Sequence, residues 1–86
     1  MNVRIPTPLR SYTGDVAVVA AEGTTIAAVL DDLDRQFPGI RFRVVDEQGR
    51  LRRHMMIFVR QERERDLSLR LDDVDELVIM QALSGG

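Results

Sequence analysis

Leu77-Val78-Ile79-Met80-Gln81-Ala82-Leu83-Ser84-Gly85-Gly86 is the stretch on which the reading of this chain turns. Residues 77–80 form an apolar strand, and the sequence then runs through Gln81-Ala82-Leu83 to a closing diglycine. Glycine has no Cβ, so Gly85-Gly86 can thread a narrow channel and present an unhindered carbonyl. Four extended residues span at most about 13–14 Å, enough to reach a buried site while a folded body stays outside. The expectation is one domain over residues 1–86 with a flexible tail at residues 83–86. Leu83 anchors the base of the tail, and the carboxylate of Gly86 carries the chemistry.

Working outward from that strand, Asp72-Asp73-Val74-Asp75-Glu76 reads as a tight acidic turn before it. Leu67-Ser68-Leu69 reads as a short edge strand, and residues 60–66 as a polar reversal. Met55-Met56-Ile57-Phe58-Val59 is a buried-type strand. Gly23-Thr24-Thr25 opens a helix over residues 25–37, with Thr24 as N-cap. Ile26, Val29, Leu30, Leu33 and Phe37 recur at helical spacing, and Pro38-Gly39 stops the helix. Residues 3–9 and 16–20 show strand character on either side of a turn cluster at residues 11–15, which implies an antiparallel hairpin. Pro6 and Pro8 leave the first of these strands partly unpaired on at least one side. Residues 40–45 alternate as a strand would, although the segment is short and follows a helix stop.

One helix covers one face of a small mixed sheet. With Met55, Ile57 and Val59 turned toward it, Met56 and Phe58 turn away. On the last strand Leu77 and Ile79 point inward, which leaves Val78 and Met80 outward. Met56, Phe58, Val78 and Met80 then make an exposed apolar patch beside the tail, the kind of surface that docks a partner. A slipped register would bury them instead.

Composition narrows the chemistry. The chain has 86 residues, 44% of them hydrophobic and 30% charged, which suits one globular domain. No apolar run approaches the roughly 18 residues of a membrane span, and residues 1–6 lack the apolar stretch of a signal peptide. A cytoplasmic protein without membrane contact is expected. Without cysteine there is no disulfide, thiolate nucleophile or cysteine-based zinc site. A net charge of −2 speaks against nucleic acid as a partner. All 12 basic residues are Arg, so no side-chain amine is present to accept an acyl group from another copy.

His54 stands among Arg50, Arg52 and Arg53, without the context of a catalytic triad. That Arg cluster either meets an acidic partner surface or is a solvated loop. Asp31, Asp32 and Asp34, and likewise Asp72, Asp73, Asp75 and Glu76, lack EF-hand spacing and read as surface and turn charge. No catalytic residue and no metal site are assigned. A phosphate-cradling glycine loop is also missing.

The pattern Gly23-Thr24-Thr25-Ile26, Phe37-Pro38-Gly39-Ile40, Asp75-Glu76-Leu77 and Leu83-Ser84-Gly85-Gly86 resembles the ubiquitin-like sulfur carriers of the MoaD/ThiS family. The likeness covers nearly the whole chain. It implies an α+β fold, the β-grasp, in which a mixed sheet of four or five strands packs on one main helix with first and last strands adjacent. It also implies a short helical turn at residues 40–46, which we adopt over the alternation. Functionally, the resemblance implies a carrier rather than an enzyme. In this family a ubiquitin-activating-enzyme-like partner uses ATP and Mg to adenylate the terminal Gly. Sulfur then replaces AMP to give a thiocarboxylate, which a downstream sulfur-transfer enzyme consumes in a pathway such as molybdopterin, thiamine, cysteine or thio-metabolite synthesis. The carrier binds no cofactor of its own. Alternatives are a ubiquitin-like modifier joined through Gly86 to lysines of other proteins, and a plain β-grasp binding module. Two departures from the family are Val74, where relatives commonly place Gly, and residues 62–71, which lack the longer loop of the cysteine-pathway carriers.

Overall fold

The structure is a computed structural model and describes residues 1–82. Its elements in chain order are β1 (Asn2–Arg4), a 3₁₀ segment (Thr7–Thr13), β2 (Val18–Ala20), α1 (Ile26–Gln36), α2 (Ile40–Val44), β3 (Met55–Val59), β4 (Glu62–Glu64) and β5 (Glu76–Gln81). The five strands form one sheet in the order β2-β1-β5-β3-β4. The first and last strands, β1 and β5, pair in parallel at its centre, and every other pairing is antiparallel.

The helix α1 buries Ile26, Val29, Leu30 and Leu33. These side chains meet Val3, Met55, Ile57, Leu77 and Ile79 in one core, each at most 1% exposed. The N-cap is Thr25, not Thr24: its Oγ1 accepts the Ala28 N–H at 3.1 Å. At the other end Asp34 Oδ1 accepts the N–H groups of Gly39 and Arg41, each at 3.1 Å. Gly39 sits at φ +99°, a value glycine reaches without Cβ strain, and so lets α1 turn directly into α2. Residues 40–44 are therefore helical despite their alternation.

Three strand readings require correction. β1 is shorter than residues 3–9, because Pro6 and Pro8 have no N–H for a ladder and lead instead into the 3₁₀ segment. Leu67-Ser68-Leu69 is a loop whose carbonyls serve α1: Leu69 O accepts from Ile26 N–H at 3.2 Å and Leu67 O from Ala27 N–H at 2.9 Å. The edge strand is β4, inside the segment read as a polar reversal. It joins β3 through Arg60 and Gln61, which adopt φ +52° and +69°, the paired positive values of a type I′ hairpin turn. Before β5 the left-handed position falls on Asp73 at φ +59°. Val74 is thereby spared a conformation that a β-branched residue resists.

Candidate functional site

The sheet's register places the four patch residues together. Met56 stands opposite Met80, and Phe58 opposite Val78, on the face turned away from α1. Met80 is 46% exposed and the other three are half-buried, whereas Met55, Ile57 and Val59 on the alternate positions are buried. Charged neighbours rim the patch. Arg4 lies beside Val78 on β1, with its guanidinium 3.3 Å from Glu76, and Arg63 lies opposite Phe58 on β4.

The root of the tail adjoins this patch. Gln81 pairs with Met55 as the last ladder position of β5, and the Ala82 N–H donates to the His54 carbonyl at 2.8 Å. Leu83, Gly85 and Gly86, the residues on which the chemistry was read, lie outside the described residues.

The Arg cluster around His54 divides between two cavities. Arg50 and Arg53 line one of about 610 Å³ together with Arg65, Asp46 and Asp66. Arg52 and His54 line another of about 420 Å³ on the helix side of the tail root, together with Phe42, Arg43 and Gln81. The Arg52 Nε donates to the Phe42 carbonyl at 2.8 Å, and its guanidinium lies 4.6 Å from the centre of the Phe42 ring. Sequence reasoning missed this second grouping. Arg43 comes from α2 and Arg52 from the loop before β3, so no linear spacing signals it.

The acidic runs have structural partners. Asp32 accepts the Glu22 N–H at 2.9 Å and pairs with Arg35 at 2.6 Å; those contacts, in that order, hold its carboxyl below the usual range. Asp31 pairs with Arg41 at 3.0 Å. The Arg70 guanidinium lowers the Asp72 carboxyl in the same way. Among the described residues no group of three or more His, Asp or Glu is arranged to hold a metal, and no helix is long and apolar enough to cross a membrane.

A mixed five-stranded sheet over one main helix, with first and last strands parallel at its centre, is a β-grasp of the ubiquitin-like class. Within that class the chain belongs to the ThiS family, whose model matches residues 3–86. It is 37% identical to the sulfur carrier protein CysO of Mycobacterium tuberculosis, an alignment that takes in 100% of this chain and 98% of the relative. In a crystal structure of the BexX/CysO complex of Amycolatopsis orientalis, the matched chain superposes with a TM-score of 0.88 at 35% identity, over 99% of this chain and 98% of that one. SAMP1 of Haloferax volcanii matches with a TM-score of 0.76 at 26% identity, over 100% and 98% of the two chains. The protein is thus a sulfur carrier of the MoaD/ThiS type, and a carrier is not itself an enzyme.

Proposed function

We propose that the Gly86 carboxyl is the atom group that carries sulfur, and that the folded body serves to present it. A carboxylate is a poor acyl donor because oxide would have to leave. Attack of the Gly86 carboxylate on the α-phosphorus of ATP, in a Mg-dependent partner enzyme, forms an acyl-adenylate and releases pyrophosphate. Sulfide then adds to the carbonyl and expels AMP, leaving a thiocarboxylate and a proton. The terminal sulfur is a nucleophile that a downstream sulfur-transfer enzyme can use. Gly85 keeps the approach to this carbonyl free of side chains, and Leu83 seats the tail at its base.

The observation that carries this reading is the family match running through to the diglycine at residue 86. The apolar pairs Met56–Met80 and Phe58–Val78 beside the tail root support a docking role for that face. Likeness to CysO favours the cysteine-pathway branch among the biosynthetic destinations. We place the exchange in the cytoplasm, with the adenylating enzyme and the sulfur-transfer enzyme as successive partners. Likeness to SAMP1, described as a small archaeal modifier protein, supports a second reading in which Gly86 is joined to lysines of other proteins.

Intact mass after incubation with ATP, sulfide and the adenylating enzyme of the same organism tests the first reading. The expected change is one oxygen exchanged for sulfur, abolished when Gly86 is deleted. An unchanged mass, with an enzyme that demonstrably releases pyrophosphate in the presence of the chain, overturns it. Adducts on lysines of other proteins, without any thiocarboxylate, would establish the modifier instead.

A further inference from the structure

The tail root separates two unlike surfaces. One is the apolar patch on the outward face. The other is the cleft of about 420 Å³ on the helix side, where Phe42, Arg43, Arg52, His54 and Gln81 are joined by Pro8 and Leu9. Among the described residues no carboxylate belongs to this lining. Among the described residues, neither Arg43 nor Arg52 joins a salt bridge.

Arg52 is set in place before any partner arrives. Its Nε is engaged by the Phe42 carbonyl, and the guanidinium rests over a ring that is itself 50% exposed. The two terminal nitrogens remain as an end-on fork, which matches the two oxygens of a carboxylate. Because the side chain is already ordered, little rotamer freedom is left to lose on binding. At the start of β5 the acidic residues are offset by Arg4, which pairs with Glu76, and by Arg70, which pairs with Asp72, whereas Arg43 and Arg52 at its end have no acidic partner among the described residues. The net charge of −2 conceals a positive pole where the tail departs.

We propose that this cleft receives an Asp or Glu side chain from the rim of the enzyme site that the tail enters. The carboxylate orients the carrier from the helix side while the apolar patch is held from the other. A phosphate group of the nucleotide is the competing occupant, and inorganic pyrophosphate is its probe. The proposal rests on the reading that the tail enters a partner enzyme, and it adds what that enzyme presents at the entrance.

Two measurements test it, the first without any enzyme. The full chain, labelled with ¹⁵N, is titrated with an oligoglutamate peptide and, separately, with inorganic pyrophosphate. Glutamate should give saturable shifts at Phe42, His54, Gln81 and the Arg52 Nε–H. Affinity should fall with added salt, and by about fivefold in Arg52→Gln, the upper end for one exposed ion pair. Arg50→Gln, in the other cavity, should bind as the parent does. Shifts with pyrophosphate but none with glutamate, or glutamate binding indifferent to Arg52→Gln, would overturn the proposal. In the second measurement, Arg52→Glu should raise the KM for the carrier in ATP–pyrophosphate exchange and leave kcat unchanged. An unaltered KM overturns the docking proposal alone. Pyrophosphate exchange without any thiocarboxylate from the parent chain overturns only the sulfur chemistry.

Discussion

Met55 and Met80 are chemically identical side chains on adjacent antiparallel strands, yet the sheet assigns them opposite duties. Met55 is 0% exposed beneath the sheet, and Met80 is 46% exposed on its outer face. Met55→Ala removes buried contacts and leaves a cavity, which costs about 2–5 kcal/mol of folding stability. For a domain of this size that is a Tm fall of at least roughly 8 °C. Met80→Ala should cost about 1 kcal/mol or less, because nearly half of the side chain already meets water. Under the proposed function its effect belongs to docking. Fully burying a Met side chain contributes about 1.5–3 kcal/mol, so covering the exposed 46% contributes about 0.7–1.4 kcal/mol. That corresponds to roughly 3- to 10-fold in affinity for the adenylating enzyme. Thermal melts of both variants, with calorimetric titration of Met80→Ala into the enzyme, give the two readouts. The reasoning is refuted if Met80→Ala lowers Tm as far as Met55→Ala, or if it binds the enzyme as tightly as the parent.

Three further perturbations follow from local geometry. Thr25→Ala should destabilise the fold by about 1 kcal/mol through loss of the cap, while Thr24→Ala should change denaturant midpoints by no more than a few tenths; the reverse order would return the cap to Thr24. A Cβ at Gly23 would lie 2.6 Å from the Val29 backbone N and 2.8 Å from the Ala28 carbonyl carbon. Gly23→Ala therefore displaces the start of α1 and should cost about 1–3 kcal/mol, read as a Tm drop. Asp32 has its folded-state carboxyl below the ordinary value of 3.8, so the stability it contributes is present above that value and is lost as pH falls through the folded one. Asp32→Asn should flatten the acid limb of a Tm–pH profile, and an unchanged limb would contradict the assignment.

What the sequence revealed was whatever has a short-range signature. The alternation of β3, the apolar stripe of α1 and the Pro38-Gly39 stop each lie within a few residues, and the outward positions of Met56, Phe58, Val78 and Met80 follow from parity. β4 gave no such sign. All three of its residues are charged, and its turn uses Arg60 and Gln61 at positive φ where Gly or Asn would have signalled a hairpin. Thr24 and Thr25 are indistinguishable as caps until the backbone shows which one is extended before the helix. The basic cleft was hidden for a different reason. Arg50, Arg52 and Arg53 are neighbours in sequence, but their separation into two cavities depends on how the loop before β3 lies against α2. The tail was read as chemistry from the steric freedom of a diglycine, and Leu83, Gly85 and Gly86 lie outside the described residues.

The placement of the tail root follows from where the neighbouring strand gives out. β5 is a central strand, bonded to β1 on one side and β3 on the other. The β3 ladder accompanies it through Gln81, and the Ala82 N–H still finds the His54 carbonyl. The β1 ladder stops at the Arg4–Val78 position. The chain beyond it leads through Pro6, which has no N–H with which to continue a ladder. From Ile79 onward β5 is therefore backed by a strand on one side only, among the described residues. A root held on both sides would be stiff but enclosed, and one held on neither would have no fixed direction. Single-sided pairing fixes direction through β3 while leaving an open flank beside Pro6, Pro8 and Met80, which line a groove of about 500 Å³. The proline that shortens β1 thus also leaves the β1 flank of the tail root unpaired among the described residues.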